Sequence, residues 1–197
     1  IAVGFSLDEI RNDITKVTLP GALKGSIAPI PSEKSADINF VTASYGQGIS
    51  VTPLALINAV SVLANKGNLM KPFINQNDSP TLVRKVISEK SSREITEMMV
   101  SAVYKAKVAH IPGYSVAGKT GTAFVPDFKN GGYSEDVINT YVGFAPAFDP
   151  EFIILIRLDK PLGAPIAGLT VVPAFRDFAS FIISYYNITP DKLDEIE

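Results

Sequence analysis

Two apolar runs with little between them constrain this chain most. Residues 139–145 read as one strand and residues 152–158 as the next, and Phe148-Asp149-Pro150-Glu151 is the short connection between them. Strands joined so tightly pair as an antiparallel hairpin. In the first, Tyr141, Gly143 and Ala145 alternate with Val142, Phe144 and Pro146. The second contains Phe152-Ile153-Ile154-Leu155-Ile156, continuously apolar, as in a strand covered on both faces. A third strand is expected at about 115–124. A polar, Gly-rich loop from Val125 to Asp136 separates it from the hairpin, and Asn130-Gly131-Gly132 suggests a mobile tip.

Helices flank these strands in the sequence. Thr52 is a good N-cap and Pro53 suits a first helical position, so a helix is predicted over 52–66, with Leu56, Val60, Leu63 and Ala64 on one side and Gly67 as its stop. A second is predicted from about 92 to 105. Ser91 and Glu94 match a capping box, and Ile95, Met98, Met99, Ala102 and Val103 form an apolar stripe for core packing. The last runs over about 171–186, with Phe175, Phe178, Ile182 and Tyr185 on one side and Pro190 beyond its end. Residues 1–37 are irregular, with turn signals at Leu19-Pro20-Gly21 and a loop at Pro29 to Ser32, and Ile38 to Ser44 reads as a short strand or helical turn. This order predicts an α+β fold in which helices pack on an antiparallel sheet.

Composition narrows the chemistry. A chain of 197 residues that is 46% hydrophobic and 19% charged can bury a sizeable core. Its net charge of -2 gives no reason to expect nucleic acid. Cysteine is absent, which removes disulfides, thiolate chemistry and cysteine-ligated metal. With His110 the only histidine, a Ser-His-Asp triad or a His-rich metal site is nearly excluded, and His110 reads as a solvated loop residue. Asp127, Glu135 and Asp136 read as a solvated loop face rather than metal ligands. No cofactor is called for. No run is apolar and long enough to span a membrane. The first residue is Ile1, so the chain is expected to start inside a longer gene product.

The run Gly113-Tyr114-Ser115-Val116-Ala117-Gly118-Lys119-Thr120-Gly121-Thr122-Ala123 reads as a turn leading into a strand that carries a cation, hydroxyls and glycines in close order. Such an edge can hold an anionic, peptide-like substrate. Gly121 permits close approach because it has no side chain to keep a substrate away. Lys119 brings positive potential for a carboxylate, and Thr120 and Thr122 offer hydroxyls. The N–H of Thr122 is a candidate oxyanion donor, and one such donor is worth about 3 kcal/mol in a transition state. Taken alone, the triplet Lys119-Thr120-Gly121 reads more readily as a solvated strand edge than as a site. Its surroundings raise it.

Lys-Thr-Gly is one of three signatures of the penicillin-recognising serine acyltransferases. Three further stretches stand in the expected order around Val116 to Ala123: Ala43-Ser44-Tyr45-Gly46-Gln47-Gly48-Ile49-Ser50-Val51-Thr52-Pro53-Leu54, Tyr141-Val142-Gly143-Phe144-Ala145-Pro146, and Val172-Pro173-Ala174-Phe175. On these residues the chain resembles the C-terminal part of the transpeptidase domain of class B penicillin-binding proteins, over about residues 38 to 188. Gly46 and Gly48 themselves read as a turn before the helix rather than as chemistry. The other two signatures are missing, since no serine here has lysine three positions on or asparagine two positions on. The stretch Lys105 to His110 is also shorter than the family's.

The resemblance implies a partial penicillin-binding transpeptidase or serine β-lactamase-like fold, with residues 1–197 as the C-terminal portion of one domain. It implies a serine-type D,D-transpeptidase that cross-links peptidoglycan stem peptides and is acylated by β-lactam antibiotics. Lys119 and Thr120 then hold the carboxylate region, Gly121 permits approach, and Thr122 contributes to the oxyanion hole. Lys119 and Thr122 are the catalytic candidates in this chain, which by itself is expected to be inactive for want of the serine. It further implies an N-terminal membrane anchor, a periplasmic or extracellular location and partnership with a lipid-II-polymerising glycosyltransferase. A D,D-carboxypeptidase or serine β-lactamase, and a non-catalytic β-lactam sensor or partner-binding domain, are the alternatives. The Tyr45 to Leu54 segment and the Val172 to Phe175 helix start favour the transpeptidase.

Overall fold

The structure is a computed structural model that describes residues 45–47, 51–73, 77–127, 129–163 and 166–195. The readings at 1–37 and 38–44, and that of Gly48, lie outside the described residues. The chain divides after Leu56 into two units. In the first, Gly46 adopts φ 90° in a turn, a left-handed conformation that suits glycine. Thr52 Oγ1 accepts the Ala55 N–H at 3.1 Å, the expected cap, and Pro53 opens helix α1 (Pro53–Ala64).

In the second unit α1 ends as the sequence suggests, at Gly67, with φ 89°. A β-carbon there would run into the backbone of Ile87, so glycine is needed for close approach as well as for the turn. A two-stranded antiparallel sheet follows, β1 (Asn68–Met70) with β2 (Leu82–Lys85). Sequence reading missed it, because all four β2 residues are exposed and show no alternation between a wet and a dry face. Helix α2 (Glu89–Ala106) starts earlier than predicted. Its cap is Ser88, whose hydroxyl accepts the Ser91 N–H at 3.0 Å, so the Ser91–Glu94 capping box is not the one used. Lys107 closes the helix in the left-handed region and donates its N–H to Val103 O at 2.9 Å, which turns the chain at once toward the next strand through the short stretch noted above.

The larger sheet is antiparallel, in the order β3 (Ala117–Pro126), β4 (Tyr133–Ala145), β5 (Phe152–Asp159). The predicted hairpin is present, with Phe144 opposite Ile153 and Tyr141 opposite Ile156. β4 is longer than predicted, and the loop before it correspondingly shorter. Asp127 builds that loop: its carboxylate accepts the N–H groups of Lys129 and Asn130 at 2.9 and 3.1 Å and the Asn130 side-chain amide at 2.8 Å. These bonds hold its carboxyl below the usual carboxylate range, so Asp127 organises the turn on the exposed loop face. Asp136 pairs with Lys160 at 2.6 Å.

Helix α3 (Val171–Tyr186) covers one face of the sheet. There Val171, Val172, Phe175, Ala179 and Ile183 pack with Tyr141, Ala145 and Ile154. On the other face Ala117, Phe144 and Ala147 meet Leu63, Ala64, Met99 and Val100 from α1 and α2. The apolar run of β5 therefore is covered on both sides, as its composition suggests.

Two stripes turn out rotated. On α2 the buried residues are Ser92, Thr96 and Val103, while Met98 is 46% exposed and Ala102 lies outside. Ser92 is drawn inward because its hydroxyl donates to Leu63 O at 2.7 Å, tying α2 to the end of α1. On α3, Phe178 and Tyr185 are 50% and 66% exposed rather than buried, and stack on either side of Phe181 along the outer surface. Small Ala179 is buried against the sheet instead, and Gly143 leaves room for Phe175.

Candidate substrate-binding edge

The strand order leaves β3 outermost, with one edge paired to β4 and the other open among the described residues. In such a strand alternate residues turn their N–H and C=O outward. Side chains alternate between faces as well, and the register assigns them. Gly118 lies opposite Gly143, Thr120 opposite Tyr141 and Thr122 opposite Asn139, on the α3 face. Ala117 lies opposite Phe144, Lys119 opposite Val142 and Gly121 opposite Thr140, on the α1–α2 face. The structure therefore brings Lys119 and Gly121 together and sends the side chains of Thr120 and Thr122 to the other face. Lys119 and Thr120 thus flank the open edge from opposite faces, a division the sequence reading did not assign.

Lys119 and Thr120 are exposed and Gly121 is half-exposed. Lys119 Nζ donates to Thr120 O at 2.7 Å, and among the described residues no carboxylate pairs with it. Its charge is free to act on an anion arriving at the edge. The Thr122 hydroxyl is committed elsewhere: it donates to Asn139 Oδ1 at 3.2 Å. The fully buried Asn139 donates in turn to Thr170 Oγ1 at 3.0 Å, and Thr170 donates to Ile166 O at 3.3 Å. A line of hydrogen bonds thus runs from β3 through β4 to the start of α3. Asn139 and Thr170 escaped sequence reading. The available signal was an amide among apolar residues of β4, where Val137 and Tyr141 flank it at the period of one face.

Both glycines of the site face a neighbour. A β-carbon on Gly121 would come within 2.5 Å of Thr140 Oγ1. One on Gly118 would coincide with the phenol of Tyr141, whose ring packs on Phe175 at a centroid distance of 4.6 Å. Tyr141 is 3% exposed and its hydroxyl finds no hydrogen-bond partner among the described residues. Burial drives that phenol far above its ordinary range, so it stays neutral and serves as packing.

His110 is not the solvated loop residue expected. It is half-buried, with Nε2 3.0 Å from Glu195 Oε2 and its ring edge-on to Tyr104. Among the described residues no group of three or more His, Cys, Asp or Glu could hold a metal ion, and no helix is long and apolar enough to cross a membrane.

Residues 7–179 match the family model described as the penicillin-binding protein transpeptidase domain. Stage V sporulation protein D of Bacillus subtilis is 35% identical over 92% of this chain and 28% of its own length. Peptidoglycan D,D-transpeptidase FtsI of Buchnera aphidicola is 29% identical over 98% of this chain and 36% of its own. Among solved structures, the apo TP domain of Burkholderia pseudomallei penicillin-binding protein 3 superposes with a TM-score of 0.76 and 30% identity, over 93% of this chain and 59% of that one. The chain thus spans well under half the length of these two full-length relatives.

Proposed function

The chain belongs to the penicillin-binding protein transpeptidase family, and from that premise we propose that it supplies the substrate-binding edge of a serine-type peptidoglycan D,D-transpeptidase. Its helices and antiparallel sheet have the penicillin-binding and β-lactamase-like fold. In this reading residues 1–197 are the C-terminal portion of one such domain.

The observation that carries the proposal is the edge of β3, open among the described residues, where Lys119 stands exposed, has no carboxylate partner among them and shares its face with Gly121. A free ammonium beside an unpaired strand edge suits a peptide that ends in a carboxylate. The backbone offers strand-like hydrogen bonds and the lysine offers charge. A stem peptide ending in D-alanyl-D-alanine has that form. A serine outside these residues, deprotonated by its motif lysine, attacks the carbonyl carbon of the penultimate D-alanine. The peptide C–N bond breaks, and terminal D-alanine leaves with the proton. The amine of a neighbouring stem then attacks the ester, forms the cross-link and returns the serine hydroxyl. Lys119 and Thr120 hold the carboxylate end, the Thr122 N–H receives the developing oxyanion, and Gly121 keeps the approach clear. A β-lactam enters the same edge and leaves the serine acylated. The same reading places the domain on the outer side of the bacterial cytoplasmic membrane, behind an N-terminal anchor, working with a lipid-II-polymerising glycosyltransferase.

Intact mass after incubation with benzylpenicillin tests it. The 21.1 kDa chain is expected to gain nothing, and a longer polypeptide from the same gene that includes a Ser-x-x-Lys motif is expected to gain one penicillin. An adduct on the 197-residue chain would overturn the placement of the nucleophile outside it. No adduct on the longer polypeptide would overturn the transpeptidase reading.

A further inference from the structure

We propose that Asp191 is a positioning residue for the substrate strand, acting through Ser115. The segment after α3 is bound to the chain immediately before β3 at several points. The Tyr114 hydroxyl donates to Ile188 O at 2.7 Å, and Gly113 O accepts the N–H groups of Asp191 and Lys192 at 3.1 and 3.0 Å. The Asp191 carboxylate then takes both donors of Ser115: the backbone N–H at 2.7 Å and, in a short bond, the hydroxyl. Ser115 is 2% exposed. It passes the connection on, since its hydroxyl oxygen and its carbonyl both accept the Ala147 N–H at 2.9 Å. One carboxylate thus joins the post-α3 segment, the start of β3 and the end of β4.

Ser115 lies four residues before Lys119, about 13 Å along an extended chain. Between them the strand pairs with β4 and buries Val116 and Ala117, while its other edge is open among the described residues. Register there is consequential. A slip of one residue would carry Lys119 and Gly121 to the α3 face and bring the threonine side chains to the face they share now. Packing of Val116, Ala117 and the rings over Gly118 and Gly143 resists such a slip, and polar bonds at the strand's start add to it. Direct bonds to the Ser115 backbone and hydroxyl fix where the strand begins. This inference deepens the reading above, and the catalytic part of its consequence rests on that reading.

The first test needs no activity. Amide hydrogen exchange is measured on this chain and on Asp191→Ala, Asp191→Asn and Ser115→Ala. In Asp191→Ala, exchange over residues 116–122 is expected to rise about tenfold or more, while amides of α3 and of the β4–β5 pair keep their rates. Asp191→Asn retains an oxygen for the Ser115 N–H and is expected to fall between. No change over 116–122, or an equal rise through α3 and β5, overturns the proposal. The second test uses the longer polypeptide and the rate constant for acylation by benzylpenicillin. Misplacing the strand is expected to slow acylation of Asp191→Ala by about ten- to a hundredfold at a temperature where every variant is folded, with partial rescue in Asp191→Asn. Unchanged acylation with raised exchange would overturn the positioning role. Failure of the unsubstituted polypeptide to acylate would instead overturn the transpeptidase reading and leave the exchange result to decide whether Asp191 holds the strand.

Discussion

Tyr141 lies across Gly118, with its phenol in the space a β-carbon on that glycine would need. Gly143 stands opposite Gly118 in the register, and its own missing β-carbon makes room for Phe175, against which the Tyr141 ring packs. Paired glycines on neighbouring strands thus admit two aromatic rings behind the edge that carries Lys119. The sheet face under the candidate site is supported by rings where most sheets would use branched side chains.

Gly118→Ala is therefore expected to destabilise the chain by about 1–3 kcal/mol, the usual cost of overfilling a packed core. The new methyl would also meet Tyr141 Cζ at 2.5 Å, so the ring must move against Phe175. Urea titration of this chain measures the loss, and a midpoint equal to that of the unsubstituted chain would contradict the packing described.

Tyr141→Phe is expected to be neutral or stabilising at neutral pH, by about 1 kcal/mol, because the hydroxyl it removes is buried and has no partner among the described residues. The pH dependence has a definite sign. Burial raises the phenol's pKa in the fold, while the unfolded chain ionises near the ordinary value of 10.0. Above that pH the unfolded state holds fewer protons than the folded one, and stability falls as pH rises. Removing the phenol removes this contribution. The stability advantage of Tyr141→Phe over the parent should widen from pH 9 to pH 11, and a constant difference across that range would contradict the assignment.

Gly121→Ala separates two reasons for a glycine. The new β-carbon would lie 2.5 Å from Thr140 Oγ1, so part of the damage comes from the neighbouring strand. Adding Thr140→Ala is expected to restore the urea midpoint. If Gly121 also keeps a substrate's approach clear, the double variant of the longer polypeptide will still acylate slowly. Full recovery of both stability and acylation would leave the glycine a sheet-packing role alone.

Lys119→Ala is expected to slow benzylpenicillin acylation of the longer polypeptide by about ten- to a hundredfold, the worth of one charge-assisted hydrogen bond. Stability should hardly change, since Lys119 is exposed and among the described residues its ammonium bonds only to the adjacent Thr120 carbonyl. A large shift in the urea midpoint would mean the lysine is structural.

Much of this was legible in the amino-acid sequence for local reasons. The connection Phe148 to Glu151 made β4 and β5 a hairpin because a short chain has no other way to turn back. Thr52-Pro53 and Gly67 marked the ends of the first helix region because capping and φ > 0 are single-residue chemistry. Residues 171–186 came out as a helix at the same limits. The order Val116 to Ala123, then Tyr141 to Pro146, then Val172 to Phe175 pointed to the family that the comparison confirms.

Tertiary structure decided what local pattern leaves open. Periodicity states how apolar residues are spaced, and not which of two adjoining faces finds a partner. So Phe178, Tyr185 and Met98 remained outside, while Ala179, Ser92 and Thr96 went in, where the sheet and the end of α1 left room for small groups. Strand alternation divided the Lys119-Thr120-Gly121-Thr122 run between two faces, a division that depends on which helices lie on each side. The bonds from Asp191 to Ser115 join residues 76 positions apart, and those from Asn139 to Thr170 join residues 31 apart. Which partner each finds leaves no local trace, even where an amide among apolar residues marks one of them, because each partner is an ordinary polar residue until folding removes water from between them.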